Sequence, residues 1–280
     1  MSIVTRFAPS PTGYLHLGHA YSALFAARQA QEADGRFILR IEDIDRGRCR
    51  AEFEQAIYED LQWLGLRWEE PVRRQSEHMD YYAAAIDWLR KEGLLYPCFC
   101  TRAEIQAEID RAGGAPHGAD GVVYPGTCRD MSPAEREDRL ARGEKPAMRL
   151  DMAEAVRRAG TLRWHDRELG EITADPLSHG NVVIARKDTP TSYHLSVTLD
   201  DHLQGVTLVT RGEDLIPATD IHRLLQKLLG LDTPEYFHHP LLTDKGGKRL
   251  AKRDKAQTIR SLREQGLKPE GILDMIEEYS

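Results

Sequence analysis

Two histidines stand three residues apart in His16-Leu17-Gly18-His19, separated by Tyr14 and Leu15 from the proline-punctuated run Arg6-Phe7-Ala8-Pro9-Ser10-Pro11-Thr12-Gly13. Imidazoles at this spacing can donate hydrogen bonds to a polyphosphate as negative charge shifts along it. Gly18 between them lets a nucleotide lie close to the backbone. If His16 to His19 opens a helix, the free N–H groups and positive dipole end of that helix favour the same ligand. The plainer alternative is a strand–turn–helix corner with two surface histidines. A second cluster pairs Cys98-x-Cys100 with a later Cys128. Zinc takes four tetrahedral ligands, usually thiolates and imidazoles. Three cysteines therefore leave two readings open, a metal site short of an evident fourth ligand or three reduced structural thiols.

These residues need a scaffold. Ile3–Ala8 reads as a first strand, closed by Pro9, Pro11 and the Thr12-Gly13 turn. Alanines and other helix formers fill Gly18–Glu32, with Gly35 as the expected stop. Phe37–Ile41 reads as the next strand, which gives the βαβ unit of an open parallel sheet. Helices are expected near Ala51–Leu64, Met79–Lys91 and Ala218–Leu229. From about Tyr96 to Asp175 the chain turns to proline, glycine, cysteine and short polar turns, which predicts an insertion between two halves of a nucleotide-binding sheet. β-pattern returns at Asn181–Ala185, Tyr193–Leu199 and Val206–Thr210. Two short helices are expected at Ala256–Gln265 and Pro269–Glu278, after the basic stretch Lys245–Lys255. No internal repeat is visible.

With 280 residues, 30% charged and 41% hydrophobic, the chain has the composition of an ordinary globular protein. No apolar run approaches the roughly 18 residues needed to span a bilayer. The N-terminus has no basic-then-apolar signal pattern, so a cytoplasmic, reducing location is expected and disulfides are not. Lys plus Arg is 38 against 45 Asp plus Glu, a net charge of −7. That balance argues against nucleic acid only weakly, because the local field decides binding. Arg46, Arg48 and Arg50, and Lys245–Lys255, are the local basic patches.

The run from Arg6 to His19 resembles the signature of the class I glutamyl- and glutaminyl-tRNA synthetases, with their HIGH motif as His16-Leu17-Gly18-His19. Arg40-Ile-Glu-Asp-Ile-Asp45 resembles the family's second-strand motif, and Ser192–Leu215 its second-half motif. Lys248-Arg-Leu-Ala-Lys-Arg253 falls where the KMSKS loop is expected. The similarity runs in order along nearly the whole chain. It implies an α/β, Rossmann-like class I catalytic domain with a small zinc-containing insertion and a short C-terminal helical segment. The implied divisions are 1–95 and 176–254 for the two catalytic halves, 96–175 for the insertion and 255–280 for the helical segment.

The resemblance also assigns roles. Arg6, Phe7, Ala8, Pro9, Ser10, Glu42, Tyr193 and Arg211 would bind L-glutamate, with Glu42 on the substrate ammonium. Arginine suits the side-chain carboxylate, because its planar fork reaches both oxygens. An ordinary ion pair is the alternative for Glu42 and Arg211. His16, Gly18, His19 and Lys252 would hold ATP with its Mg2+, and His16, His19 and Lys252 would act in catalysis. Asp43, Asp45, Asp200 and Asp201 read as structural or solvated. The loop departs from the family pattern at Arg249 and Ala251, which bears on rate more than on reaction type. Cys98, Cys100, Tyr124 and Cys128 match the zinc ligands of one subfamily, the glutamyl-Q tRNA(Asp) synthetases, although His117 would be the more usual fourth ligand. Cys49 stands apart as an ordinary thiol. The sequence stops soon after Lys252, as that subfamily does, so a helical anticodon-binding domain is not expected. The implied partner is tRNA(Asp) containing queuosine. The rivals are an ordinary glutamyl-tRNA synthetase charging a tRNA 3′ end and an inactive tRNA-binding module.

Overall fold

The structure is a computed structural model that describes residues 2–111, 117–118, 121–243 and 257–279. Its elements in chain order are β1 (Val4–Phe7), α1 (Leu17–Glu32), β2 (Arg36–Ile41), α2 (Ala51–Trp63), β3 (Glu69–Arg74), α3 (Met79–Lys91) and β4 (Leu95–Cys98). Next come α4 (Arg102–Arg111), β5 (His117–Gly118), β6 (Gly121–Val122), α5 (Pro133–Ala141), β7 (Ala147–Leu150), α6 (Met152–Ala159), β8 (Arg163–Asp166) and β9 (Gly170–Thr173). The remainder are β10 (Val183–Ala185), α7 (Tyr193–Leu203), β11 (Leu208–Gly212), α8 (Ala218–Leu229), β12 (Glu235–His239), α9 (Ile259–Glu264) and α10 (Pro269–Tyr279).

The opening βαβ unit follows from residue size. Ala20, Ala23, Ala26 and Ala30 form the buried stripe of α1, and their small side chains let the helix lie close on the sheet. The Thr5 hydroxyl donates to the Ala26 carbonyl at 2.8 Å. β1 and β2 pair in parallel with Phe7 opposite Leu39, and β2 pairs in parallel with β3. Gly35 does not end α1 as expected. The helix stops at Glu32, and Asp34 takes the left-handed turn at φ 47°. Gly35 is needed for close approach instead: a Cβ there would collide with the Ile3 carbonyl, which accepts from the Arg36 N–H at 2.8 Å.

In the second half, β11 pairs in parallel with β12, and β12 with β8. β11 stands beside β1, joined by the Thr207 N–H on the Val4 carbonyl at 3.0 Å and the Val4 N–H on the Thr207 hydroxyl at 2.8 Å. The strands therefore run β3-β2-β1-β11-β12-β8-β9, a doubly wound sheet whose chain order reverses between β1 and β11. Ligands of such sheets sit beyond the carboxyl ends of the strands at that reversal. Ile259, Leu262, Ile272 and Ile276 of α9 and α10 share one core with α1, α2 and β2.

Sheet membership departs from the expected boundaries. β8 lies inside residues 96–175 yet pairs with β12, whereas β10 lies beyond them yet joins an antiparallel sheet with β7 and β4. Tyr193–Leu199, expected as a strand, is the start of helix α7. Its β-branched and aromatic residues favour a strand locally. Every residue from Leu195 to Asp201 is buried, polar and apolar alike, so this stretch has no solvent-facing side and its 3.6-residue period is invisible. The Ser192 hydroxyl caps it, accepting from the Leu195 N–H at 3.4 Å. Among the described residues no helix is long and apolar enough to cross a membrane.

Candidate active site

A cleft of about 660 Å³ opens where the sheet reverses, at the carboxyl ends of β1 and β11. Arg6 and Phe7 end β1, and Ala8, Pro9 and Ser10 continue from it. His16 precedes α1, whose first turn carries Gly18 and His19. Glu42 follows β2, Tyr193 begins α7, and Arg211 lies on β11. All of these residues line the cleft. Lys252, and with it the whole KMSKS-like stretch, lies outside the described residues.

The charges behind the cleft are mostly paired. Asp201 accepts from Arg6 Nε at 3.0 Å and from Arg40 at 2.8 Å. Arg40, fully buried, also donates to Glu42 at 3.0 Å and to Gln204 at 2.9 Å. Two arginines thus face two carboxylates. Burial raises the Glu42 carboxyl, and Arg40 opposes that rise. Glu42 is therefore in an ion pair as well as at the cleft wall. Arg40 and Asp201 do this work without having been read as site residues, although Arg40 opens a motif plainly visible in the chain.

Arg211 is different. Its partners are His238 Nε2 at 3.1 Å, His222 Nδ1 at 3.1 Å and the Thr219 hydroxyl. Among the described residues it makes no ion pair. Burial first, then the Arg211 charge, hold His222 well below the usual imidazole range and His238 down at about 4. Tyr193 stands in the field of both sides of the cleft. Burial raises its phenol, Arg211 lowers it and Glu42 raises it. Neither His222 nor His238 was legible as a site residue, since nothing local marks them.

The His16 and His19 rings lie tilted by 32° with centroids 3.7 Å apart, and the His16 backbone N–H donates to His19 Nδ1 at 3.2 Å. A neutral His19 therefore carries its proton on Nε2. A Cβ at Gly18 would stand 3.3 Å from the His16 ring, so glycine keeps this corner tight. The Ile259 N–H donates to the Leu15 carbonyl at 2.8 Å, and Thr258 bridges to His16. The segment that follows Lys252 is thereby fastened beside the histidine pair.

A separate cluster lies at the end of β4. The sulfurs of Cys98, Cys100 and Cys128 all lie within 4.8 Å of one another. The Tyr124 hydroxyl is 3.4 Å from the Cys98 sulfur and 3.7 Å from that of Cys100. The Arg149 guanidinium covers the Tyr124 ring at 3.8 Å from its centroid. Three thiols and a phenol thus converge as four donors, an arrangement that could hold a metal ion. Cys49 is elsewhere.

Residues 2–279 match the family described as tRNA synthetases class I (E and Q), catalytic domain. A Glutamyl-Q tRNA(Asp) synthetase of Rhodobacter capsulatus is 48% identical over 98% of this chain and 99% of its own length. A Glutamate--tRNA ligase of Aquifex aeolicus is 39% identical over 98% of this chain, which spans 56% of that relative. A crystal structure of a glutamate tRNA ligase from Elizabethkingia meningosepticum in complex with its amino acid superposes with a TM-score of 0.82 at 29% identity. It covers 99% of this chain, which spans 60% of the solved one. A Rossmann-like sheet with its cleft at the reversal point, and a match that runs the length of the chain, place this protein in the class I tRNA synthetase family of the E and Q type.

Proposed function

We propose that this chain activates L-glutamate with ATP and transfers the glutamyl group to queuosine in tRNA(Asp). The observation that carries the amino-acid assignment is Arg211, a buried guanidinium at the cleft with no ion-pair partner among the described residues. A buried cation calls for an anion, and its planar fork fits a carboxylate. Glu42 then takes the substrate ammonium, while Tyr193, Arg6 and the Phe7–Ser10 strand end frame the amino acid.

In the first step an α-carboxylate oxygen attacks the α-phosphorus of ATP. The bond to the β-phosphate breaks and pyrophosphate leaves; Mg2+ bound with ATP would offset the phosphate charge. His16 and His19 donate to the phosphates, Gly18 leaves room for the nucleotide, and Lys252 neutralises the charge that develops. In the second step a queuosine hydroxyl loses its proton as it attacks the adenylate carbonyl, an ester forms and AMP leaves. Catalysis is positioning and charge stabilisation, without a covalent enzyme intermediate. Cys98, Cys100, Tyr124 and Cys128 are assigned to one structural zinc, which would tie β4 to the segment before α5.

The 48% identity to a relative named for glutamyl-Q tRNA(Asp) favours queuosine as the acceptor. The 39% identity to a glutamate--tRNA ligase keeps a tRNA 3′ end as the second reading. Labelled glutamate separates them, offered with tRNA(Asp) that carries or lacks queuosine. Label is expected only on the queuosine-containing tRNA. Equal labelling of both, or labelling confined to tRNA(Glu), restores the 3′-end reading.

A further inference from the structure

A guanidinium has only donors to offer. Whatever atom it bonds must present a lone pair. Arg211 bonds His238 through Nε2 and His222 through Nδ1, so both imidazoles must be neutral, each with its proton on the other nitrogen. For His238 that proton points at Asp166, whose Oδ2 lies 2.8 Å from Nδ1. Asp166 is itself fixed. Its Oδ2 also accepts the His238 N–H at 3.1 Å, and its Oδ1 accepts the N–H groups of Glu168 at 2.9 Å and Leu169 at 3.1 Å. For His222 the second nitrogen lies 3.2 Å from His194 Nδ1.

This arrangement is built into the sheet. Asp166, His238 and Arg211 come from β8, β12 and β11, three adjacent strands. Arg211 is directly opposite His238, and Tyr236, two residues before His238, is opposite Asp166. Strand residues two apart share a face, so the three side chains form a row. Arg6 makes the contrast. It reaches the same cleft but is neutralised by Asp201.

We infer that His238 and His222 are positioning residues that hold Arg211 by neutral acceptors alone, with Asp166 fixing the tautomer of His238, and that this row sets selectivity for an acidic over an amide side chain. The inference rests on the glutamate reading given above. A substrate carboxylate meets a guanidinium whose charge is not already taken. A glutamine side chain offers one acceptor and an NH2 group that opposes the arginine donors, leaving a buried cation without an anion. Neither histidine lines the cleft; His238 reaches it through Arg211, and His222 through Arg211 and through the Tyr193 ring, which it meets edge-on at 5.6 Å between centroids.

Two substitutions at one position test this. His238→Gln places a carbonyl at the reach of Nε2 and keeps an acceptor for Arg211. His238→Asn ends near Nδ1, keeps a partner for Asp166 and deserts Arg211. In amino-acid-dependent ATP–pyrophosphate exchange, His238→Asn should raise KM for glutamate about tenfold to a hundredfold, the range expected for an unsatisfied buried donor. kcat and KM for ATP should change little, selectivity over glutamine should fall, and His238→Gln should stay within a few-fold of the parent. Equal KM values for the Asn variant and the parent overturn the inference while leaving glutamate activation intact. No glutamate-dependent exchange by the parent overturns the functional reading instead. The histidine tautomers give a readout that needs neither activity nor a variant. Nitrogen-15 NMR of the parent at pH 7 should find His238 neutral with its proton on Nδ1. An imidazolium, or the proton on Nε2, overturns the positioning role.

Discussion

Cys98, Cys100, Tyr124 and Cys128 illustrate what single residues can and cannot declare. The three cysteines were evident as possible ligands, whereas Tyr124 entered only through the family resemblance, because a tyrosine is an uncommon ligand and a histidine such as His117 the more usual one. The fold brings the Tyr124 hydroxyl to the sulfurs by closing the segment before α5 onto β4, where the Cys128 N–H also donates to that hydroxyl at 2.9 Å. A metal bound by all four donors would add to the hydrogen bonds that already join these two segments. Purified protein is therefore expected to carry about one zinc per chain, as a tetrahedral site would. Cys128→Ser should lose the metal and loosen residues 96–150 to proteolysis, while the doubly wound sheet keeps its unfolding transition. Metal-free protein that is as protease-resistant as the metal-loaded form would refute the assignment.

At the scale of elements, α7 decides most. It begins at Tyr193 in the cleft and ends its buried stretch with Asp200 and Asp201, so one helix presents both a cleft residue and the carboxylates that hold the strands. Asp201 grips Arg6 of β1 and Arg40 of β2, and Asp200 accepts from Arg73 of β3 at 2.8 Å, Gln75 at 2.9 Å and the Tyr82 hydroxyl at 2.8 Å. The start of this helix depends on its cap, since the first N–H groups have no partner within the helix. Replacing Ser192 by Ala removes the acceptor for the Leu195 N–H. The expected cost is about 1 kcal/mol, read as a fall in Tm of about 2 °C for a protein of this size. An unchanged Tm would mean that packing alone fixes the helix start.

At the scale of the whole molecule, several buried groups make stability depend on pH, and they do not share one sign. His238 is lowered from 6.5 to about 4 by burial and then by Arg211, so its contribution is complete above pH 6.5 and lost as pH falls through 4. His222 acts in the same direction. Asp201 does too, because Arg6 and Arg40 overcome its burial and hold it below the usual carboxylate range. Asp60 and Glu42 oppose them. Burial raises both, Asp60 to about 6, so each is better tolerated as pH falls. Total stability therefore mixes these terms, and a difference measurement isolates one. Urea unfolding of the parent and of His238→Gln between pH 7.5 and 4 should give curves that converge on acidification. The parent should lose on the order of 3 kcal/mol more than the variant, the equivalent of a displacement from 6.5 to about 4. Parallel curves would contradict a neutral, buried His238.

What the sequence determined by itself was local and ordered. Pro9, Pro11 and Gly13 punctuate the first strand, alanines make α1, and the motifs from Arg6 to Arg211 stand in the order that lets them meet in one cleft. These signals survive because propensity, capping and motif spacing act over a few residues. Tertiary structure decided the rest. Only the tertiary structure showed Tyr193–Leu203 to be a helix, since polar and apolar residues alike are buried from Leu195 to Asp201 and leave no amphipathic stripe to read. Only strand pairing drew β8 into the parallel sheet and sent β10 out of it. The partners of Arg211 are likewise set by register. His238 faces it because β12 lies against β11, His222 because α8 packs beside both, and Asp166 because β8 follows in the row. Such neighbours are chosen by hydrogen-bonded strands and shared cores far apart in the chain, and no short-range pattern records them.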